Sequence, residues 1–332
     1  MRLLFPVLFS LLTISTGLFL EYDRFSQTAL RPAQPIIMQV PRGMSLRHLS
    51  ERLVALGVLD QPYYFMLLAY LRGDAKRVQA GTYALRSGMK PAEVLDLLVS
   101  GRVVQQPVTL IEGWTVQQAL NAIARNPKVE HRLKPATPQA LMAALGKPEL
   151  AAEGRFLPDT YHFPKGVTDV AVFRRAYAAM ETFLAREWPK RAPDLPLANP
   201  YEALILASIV EKETGKAEER PQIAGVFIRR LRRGMKLQTD PTVIYGLGAD
   251  FDGNLRRADL RKDTPYNTYV HWGLPPTPIA LPGRAAILAV LHPQPGDSLY
   301  FVAKGDGSHQ FSTTLKEHNR AVRRYQLRKS SE

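Results

Sequence analysis

Hydrophobic and polar positions divide the chain into stretches of different character. Leu3 to Leu20 carries no charge. As a helix rising about 1.5 Å per residue it reaches about 27 Å, close to the hydrocarbon thickness of a bilayer. Arg2 precedes it and Glu21 and Asp23 follow, so the positive-inside bias points the remainder away from the cytoplasm. The pattern predicts a cytoplasmic tip and an N-terminal transmembrane helix over residues 1–24. The rival is a cleaved signal peptide ending near Ser15-Thr16-Gly17, but Leu18, Phe19 and Leu20 continue the apolar run past that site. Residues 25–35, with Pro32 and Pro35, read as a linker.

A repeat follows. Val40-Pro41-Arg42-Gly43-Met44-Ser45, Leu85-Arg86-Ser87-Gly88-Met89-Lys90 and Leu110-Ile111-Glu112-Gly113-Trp114-Thr115 superpose without gaps. After each glycine, apolar residues recur at helical spacing: Leu49 and Leu53, Val94 and Leu98, Ala119 and Ile123. The unit is a strand, a glycine turn and a helix, with Ile36–Val40 and Pro107–Leu110 as strands and Ser45 and Thr115 as N-caps. Packed copies make a small α+β module over residues 36–105, followed by a mixed α+β domain over 106–332. Within that domain, Val170–Trp188 and Gln222–Leu231 read as amphipathic helices. The second of these turns Ile223, Val226, Phe227 and Leu231 to one side and Arg229, Arg230, Arg232 and Arg233 to the flank. Ser298–Ala303 and Gln310–Thr313 read as a hairpin before a basic C-terminal helix.

The helix after Asn199 carries the most suggestive chemistry. Asn199 is an N-cap, Pro200 suits the first turn and Glu202 completes a capping box. From Ala203 to Val210 every residue is apolar or small, so the helix has no polar face and should be buried. It ends in Glu211-Lys212-Glu213-Thr214. The negative pole of the helix and partial burial both oppose ionisation there and raise a carboxyl pKa, which suits a general acid. Glu213 continues the stripe of Ile205 and Ile209, whereas Glu211 lies on another side, placed to pair with an arginine. Spacing alone leaves a plainer reading open, in which both are solvated charges at a helix end. The loops that follow, around Gln238-Thr239-Asp240-Pro241-Thr242, Tyr245-Gly246 and Tyr266-Asn267-Thr268-Tyr269, combine amides, hydroxyls and aromatic rings. Such stretches suit carbohydrate, and equally suit loops braced by their own side chains.

Composition narrows the partners. The 332 residues are 45% apolar and 22% charged, ordinary for a folded protein. A net charge of +14 favours an anionic partner, and export makes nucleic acid an improbable one, leaving anionic lipid or cell-wall polymer. Absence of cysteine removes thiol catalysis and disulfide frameworks. The seven histidines are scattered without a ligand spacing, so neither a metal nor any other cofactor is expected.

With these residues in view, the chain resembles the YceG-like endolytic murein (lytic) transglycosylase family, MltG. The resembling stretches are Ala207 to Thr214, Leu237 to Gly246, Tyr266 to Tyr269 and Gly273 to Pro276. Ala80-Gly81-Thr82-Tyr83, Glu112-Gly113, Leu157 to Thr160 and Tyr300 to Ala303 add to them. The resemblance runs from about Ile36 to Tyr325. It implies an inner-membrane, single-pass anchor, a LysM-like α+β module and a periplasmic α+β catalytic domain. It also implies a lyase that cuts between N-acetylmuramic acid and N-acetylglucosamine of nascent strands, leaving 1,6-anhydro ends and ending elongation. The family's acid falls on Glu213, with Gln238, Asp240, Thr242, Tyr245, Asn267 and Tyr269 expected along the glycan groove. Expected partners are peptidoglycan strands, the membrane and peptidoglycan synthases or division proteins. The alternative is a non-catalytic wall-binding or division scaffold, which has no need of a carboxylate at the end of a buried helix.

Overall fold

The computed structural model describes residues 4–29 and 34–327, with backbone alone at residues 4–12, 14 and 327. The chain divides into two units, Met1–Gln106 with His162–Lys165, and Pro107–Tyr161 with Gly166–Glu332.

In the first unit, α1 (Leu4–Gln27), β1 (Ile36–Val40), α2 (Leu46–Ala55), α3 (Pro62–Leu71), β2 (Gly81–Leu85) and α4 (Pro91–Ser100) follow in order. The strand–turn–helix pattern appears twice, β1 leading to α2 and β2 to α4. Each turn passes through a glycine at φ +81°, Gly43 or Gly88, a conformation that a side chain resists. Ser45 caps α2 by accepting the amide of His48. Glu93 turns back to take the amide of Lys90 at 2.7 Å. β1 and β2 pair antiparallel from Ile36 opposite Leu85 to Val40 opposite Gly81. Their inward residues Met38, Val40, Tyr83 and Leu85 join Leu49, Leu53, Phe65, Leu95 and Leu98 in one core. Burying each such side chain contributes about 1.5–3 kcal/mol.

The transmembrane helix expected over Leu3–Leu20 is corrected by the structure. Leu3 and the side chains of residues 4–12 and 14 lie outside the described residues. Among the described residues, no helix is long and apolar enough to cross a membrane. A span needs about 20 consecutive, mainly apolar residues. The described part of α1 includes Thr13, Ser15, Thr16 and Gly17 before Leu18, and Glu21, Asp23 and Arg24 after Leu20. Instead of stopping at Leu20, α1 runs on to Gln27 and buries Phe25 in the core of its own unit.

The second unit and its boundaries carry β3 (Gln105–Thr109), α5 (Val116–Ala124), β4 (Val129–Glu130), α6 (Pro138–Ala144), β5 (Thr160–Pro164), β6 (Val167–Thr168), α7 (Asp169–Glu187), α8 (Pro200–Glu213), α9 (Arg220–Arg232), α10 (Asp240–Leu247), α11 (Arg284–Leu291), β7 (Tyr300–Ala303), β8 (His309–Ser312) and α12 (Leu315–Val322). The third copy of the repeat opens this unit, with Gly113 at its turn and Thr115 capping α5 through the amide of Gln118. The core forms where α8, α9 and α11 pack together, around Ala207, Ile209, Ile223, Phe227, Ile287 and Val290. β7 and β8 pair antiparallel, as the hairpin pattern predicts. One element departs from the sequence reading. The Asp240 to Leu247 stretch, read as loop, is a helix: Pro241 suits its first turn, and the Thr242 hydroxyl donates to the Thr239 carbonyl at 2.7 Å.

α8 also holds the segment before α11 in place. The hydroxyl of Ser208, fully buried, accepts the amide of Ile279 at 2.9 Å and donates to the Ile205 carbonyl at 2.7 Å. Ser208→Ala leaves a buried amide without a partner and is expected to cost about 1–3 kcal/mol, read from the urea midpoint. An unchanged midpoint would show that the 279 segment holds without this bond.

Candidate active site

α8 takes the N-cap that its sequence predicts, while Glu202 turns to the residue before the cap in place of the cap amide that a capping box would use. Asn199 accepts the Glu202 amide at 3.0 Å, and Glu202 accepts the Ala198 amide at 2.6 Å. All residues from Ala203 to Val210 are buried, so only the last turn is available for chemistry. The two glutamates of that turn meet different surroundings.

Glu211 is consumed by structure. Arg220 donates to its Oε1 at 3.0 Å and the Gly283 amide to its Oε2 at 2.8 Å, with the side chain only 5% exposed. A Cβ at Gly283 would lie 2.0 Å from Glu112 Oε1, so a side chain there would displace the end of the Glu112 side chain. A buried, doubly bonded carboxylate of this kind is a clamp, and removing one partner strands a charge.

Glu213 instead opens into a cavity of about 410 Å3 that Arg230, Gln238, Asp240, Tyr269 and Tyr300 also line. The hydroxyl of Thr239 donates to Glu213 Oε1. Burial pushes the Glu213 carboxyl up to about 7; the Thr239 bond opposes this, the Asp240 charge adds to it and Arg230 opposes it. Asp240 in turn accepts the hydroxyl of Tyr269 at 2.6 Å. A carboxyl that gains and loses its proton near neutrality, at a cavity wall, is equipped for acid and then base chemistry. Among the described residues no cluster of three or more His, Asp or Glu is placed to hold a metal ion.

The structure brings Glu213, Gln238, Asp240 and Tyr269 to one cavity and leaves Thr242, Tyr245 and Asn267 off its wall. Thr242 and Asn267 are fully buried. Thr242 shares a hydrogen bond with Thr268 at 2.8 Å, and Thr268 Oγ1 accepts the Thr239 amide at 3.1 Å. Asn267 donates to the carbonyls of Lys262 and Asp259 at 2.8 and 3.3 Å and accepts the Tyr269 amide at 2.9 Å. Those bonds brace the loop that presents Tyr269. Tyr245 stacks edge-on against Tyr266, with centroids 4.8 Å apart, and donates to Glu153 Oε2 at 3.1 Å.

Sequence reasoning passed over Thr239, Arg230 and Glu153. Arg230, placed with the exposed flank of its helix, is 8% exposed. The signal was available: position 230 follows Val226 by four and Phe227 by three, which puts it on the apolar stripe of α9. Thr239 lies inside a motif already singled out. Glu153, 9% exposed, accepts the amide of Val116 at 3.0 Å besides the Tyr245 hydroxyl, and burial pushes it up to about 7 against these bonds. No local pattern marks it, because its partners come from α5 and α10.

Two outcomes follow from these placements. Asn267→Ala is expected to cost about 1–3 kcal/mol of stability while activity per folded molecule stays near wild type. Lost turnover at an unchanged melting temperature would move Asn267 to the substrate. Glu153 and Glu213 both hold protons more tightly when folded than at the ordinary carboxylate value of 4.5. Their contribution to stability is therefore full below about pH 4.5 and lost as pH rises through about 7. Glu153→Gln should flatten that loss, so its denaturation midpoint gains on wild type between pH 5 and pH 8; a constant difference would contradict the assignment.

The chain is similar to known proteins over most of its length. The YceG-like family model matches residues 38–324. The endolytic murein transglycosylase of Bacillus subtilis is 32% identical over 310 residues, covering 87% of this chain and 84% of that protein. The endolytic murein transglycosylase of Streptococcus pneumoniae is 28% identical over 321 residues, which span 86% of this chain and 58% of that longer protein. Among solved structures, a YceG-like protein from Listeria monocytogenes shares 29% identity with a TM-score of 0.54, covering 86% of this chain and 99% of that one.

Proposed function

Because the chain belongs to the YceG-like family, we propose that Glu213 alone performs the proton transfers of a reaction that leaves 1,6-anhydro-N-acetylmuramic acid ends. The chain is a lytic transglycosylase that cleaves peptidoglycan, and so a lyase. The carrying observation is the Glu213 carboxyl at the cavity wall, held by the Thr239 hydroxyl and poised near neutrality.

Protonated Glu213 gives its proton to the oxygen joining N-acetylmuramic acid to N-acetylglucosamine, and the bond from that oxygen to C1 breaks. The C6 hydroxyl of the same muramic acid closes on C1, and the Glu213 carboxylate takes the hydroxyl proton. Acid and base are thus one residue, the nucleophile belongs to the substrate and no water is consumed. Hydrolytic glycosidases ordinarily need a second carboxylate as nucleophile or base. Here burial keeps the proton on Glu213 in the resting site, and the Asp240 charge adds to it. Gln238, Asp240 and Tyr269 are the groups placed to hold sugar hydroxyls and amides beside it. The first unit is the candidate LysM-like module that grips the strand, supported by its two strand–turn–helix copies. The substrate lies outside the cytoplasmic membrane, so the catalytic body works there.

Glu213→Gln is expected to lower cleavage by ~10²-fold or more with the fold intact. The assay is incubation with purified peptidoglycan and mass spectrometry of the ends. Wild-type turnover in Glu213→Gln, or reducing ends in place of anhydro ends, would falsify the scheme.

A further inference from the structure

We infer that Arg230 is a positioning residue for this reaction, tying the loop that carries Thr239 to the body of the second unit and setting a fixed positive charge against the carboxylate that Glu213 becomes. The inference rests on Glu213 as the acid. Three observations support it.

The first is connectivity. Arg230 Nε donates to the Leu299 carbonyl at 2.7 Å, and Nη1 reaches the carbonyls of Leu237 and Lys236 at 2.9 and 3.1 Å and Gln238 Oε1 at 3.4 Å. One guanidinium therefore joins α9, the loop entering α10 and the residue before β7, three sides of the cavity.

The second is strain in the loop so held. Gln238 has φ +52°, a left-handed conformation that costs a non-glycine residue stability and persists only where its surroundings impose it. The next residue is Thr239, whose hydroxyl orients the Glu213 carboxyl. The Arg230 bonds to Lys236, Leu237 and Gln238, together with the Gln238 amide on the Thr268 carbonyl at 3.2 Å, impose that conformation.

The third is unbalanced charge. Arg230 is buried, yet among the described residues no carboxylate lies within ion-pair distance of it. A buried cation satisfied by carbonyls and by the face of the Tyr300 ring, 5.1 Å from its centroid, with no carboxylate in bonding distance, bears a desolvation cost that a purely structural role meets more cheaply with neutral groups. Its charge has a use here. When Glu213 yields its proton, a carboxylate appears in a partly dry site, and a preorganised cation stabilises it. The groups facing Glu213 are few: Asp240 from α10 opposes that charge, Tyr269 faces it neutral and Arg230 from α9 favours it. His318 of α12 lines the same cavity, stacked on Tyr300 and held below its ordinary pKa by burial and by Arg230, and His309 of β8 lines it with its ring bonded to Glu219. A lysine offers a compact charge without the planar fork needed to bridge these carbonyls.

The test is the pH–rate profile of the full chain on peptidoglycan, with melting temperature as a control, for wild type, Arg230→Gln, Arg230→Lys, Asp240→Asn and Glu213→Gln. The alkaline limb reports loss of the Glu213 proton. Arg230→Gln should lower kcat by roughly 10–100-fold with KM little changed and move this limb up by about one pH unit, because Glu213 keeps its proton longer. Arg230→Lys should hold the limb near its wild-type place and still lose roughly tenfold in kcat. Asp240→Asn should move the limb down. An unmoved limb in Arg230→Gln, wild-type kcat in Arg230→Lys, or failure of both to fold assigns Arg230 to the core alone and overturns the inference. Glu213→Gln separates the two levels. Retained turnover there removes the acid assignment, whereas its loss beside an unmoved Arg230→Gln limb removes only the role given to Arg230.

Discussion

A helix with no polar face has to be enclosed, and whatever lies at its end is drawn to the margin of the enclosure with it. α8 is such a helix: its eight central residues are buried against α9, α11 and the segment before α11. It then terminates in two carboxylates, Glu211 and Glu213, that water no longer fully solvates. Each must be ion-paired, hydrogen-bonded or protonated. The second unit answers differently for each. Glu211 receives a cation and an amide and becomes a junction between α8, the start of α9 and Gly283. Glu213 receives a hydroxyl and no cation within bonding distance, and the remaining cost appears as a raised proton affinity. The proposed reactive group is the carboxylate that the fold leaves incompletely satisfied.

Most of the polar side chains after α9 serve that arrangement indirectly. Asn267, Thr268 and Thr242 form a buried set of hydrogen bonds beneath the cavity, and its outcome is the placement of Thr239 and Tyr269 above. Arg230 does the same from the other side. The polar richness of this segment is thus divided between a few groups facing the cavity and a larger number that fix them. Fixed groups suit the proposed scheme, in which one carboxyl both gives and takes a proton, because little reorganisation is left for the reaction itself.

The first unit is simpler. Two strand–turn–helix copies pair their strands and close one apolar core, and α1 docks on that core through Phe25. The continuation of α1 through Glu21, Asp23 and Arg24 onto its own unit is what the apolar run alone did not reveal. An uncharged stretch says where a helix is favoured, but its neighbours in space decide where it stops.

Local features were legible wherever local physics suffices. The caps of α2, α5 and α8, the three glycine turns, the α7 and α9 helices and the β7–β8 hairpin each depend on residues within a few positions of one another. The apolar stripe of α8 singled out Glu213, and the stripe of α9 equally marked Arg230, although three neighbouring arginines disguised it as a solvated flank. Other decisions depended on residues far away in the chain. Glu211 became a clamp because Arg220 and Gly283 close on it; Tyr245 turned from the cavity because Glu153 takes its hydroxyl; and Asn267 was buried by the carbonyls of Asp259 and Lys262. Proton affinity follows desolvation and charge in three dimensions, and only the packed structure specifies that Glu213 holds its proton up to about pH 7.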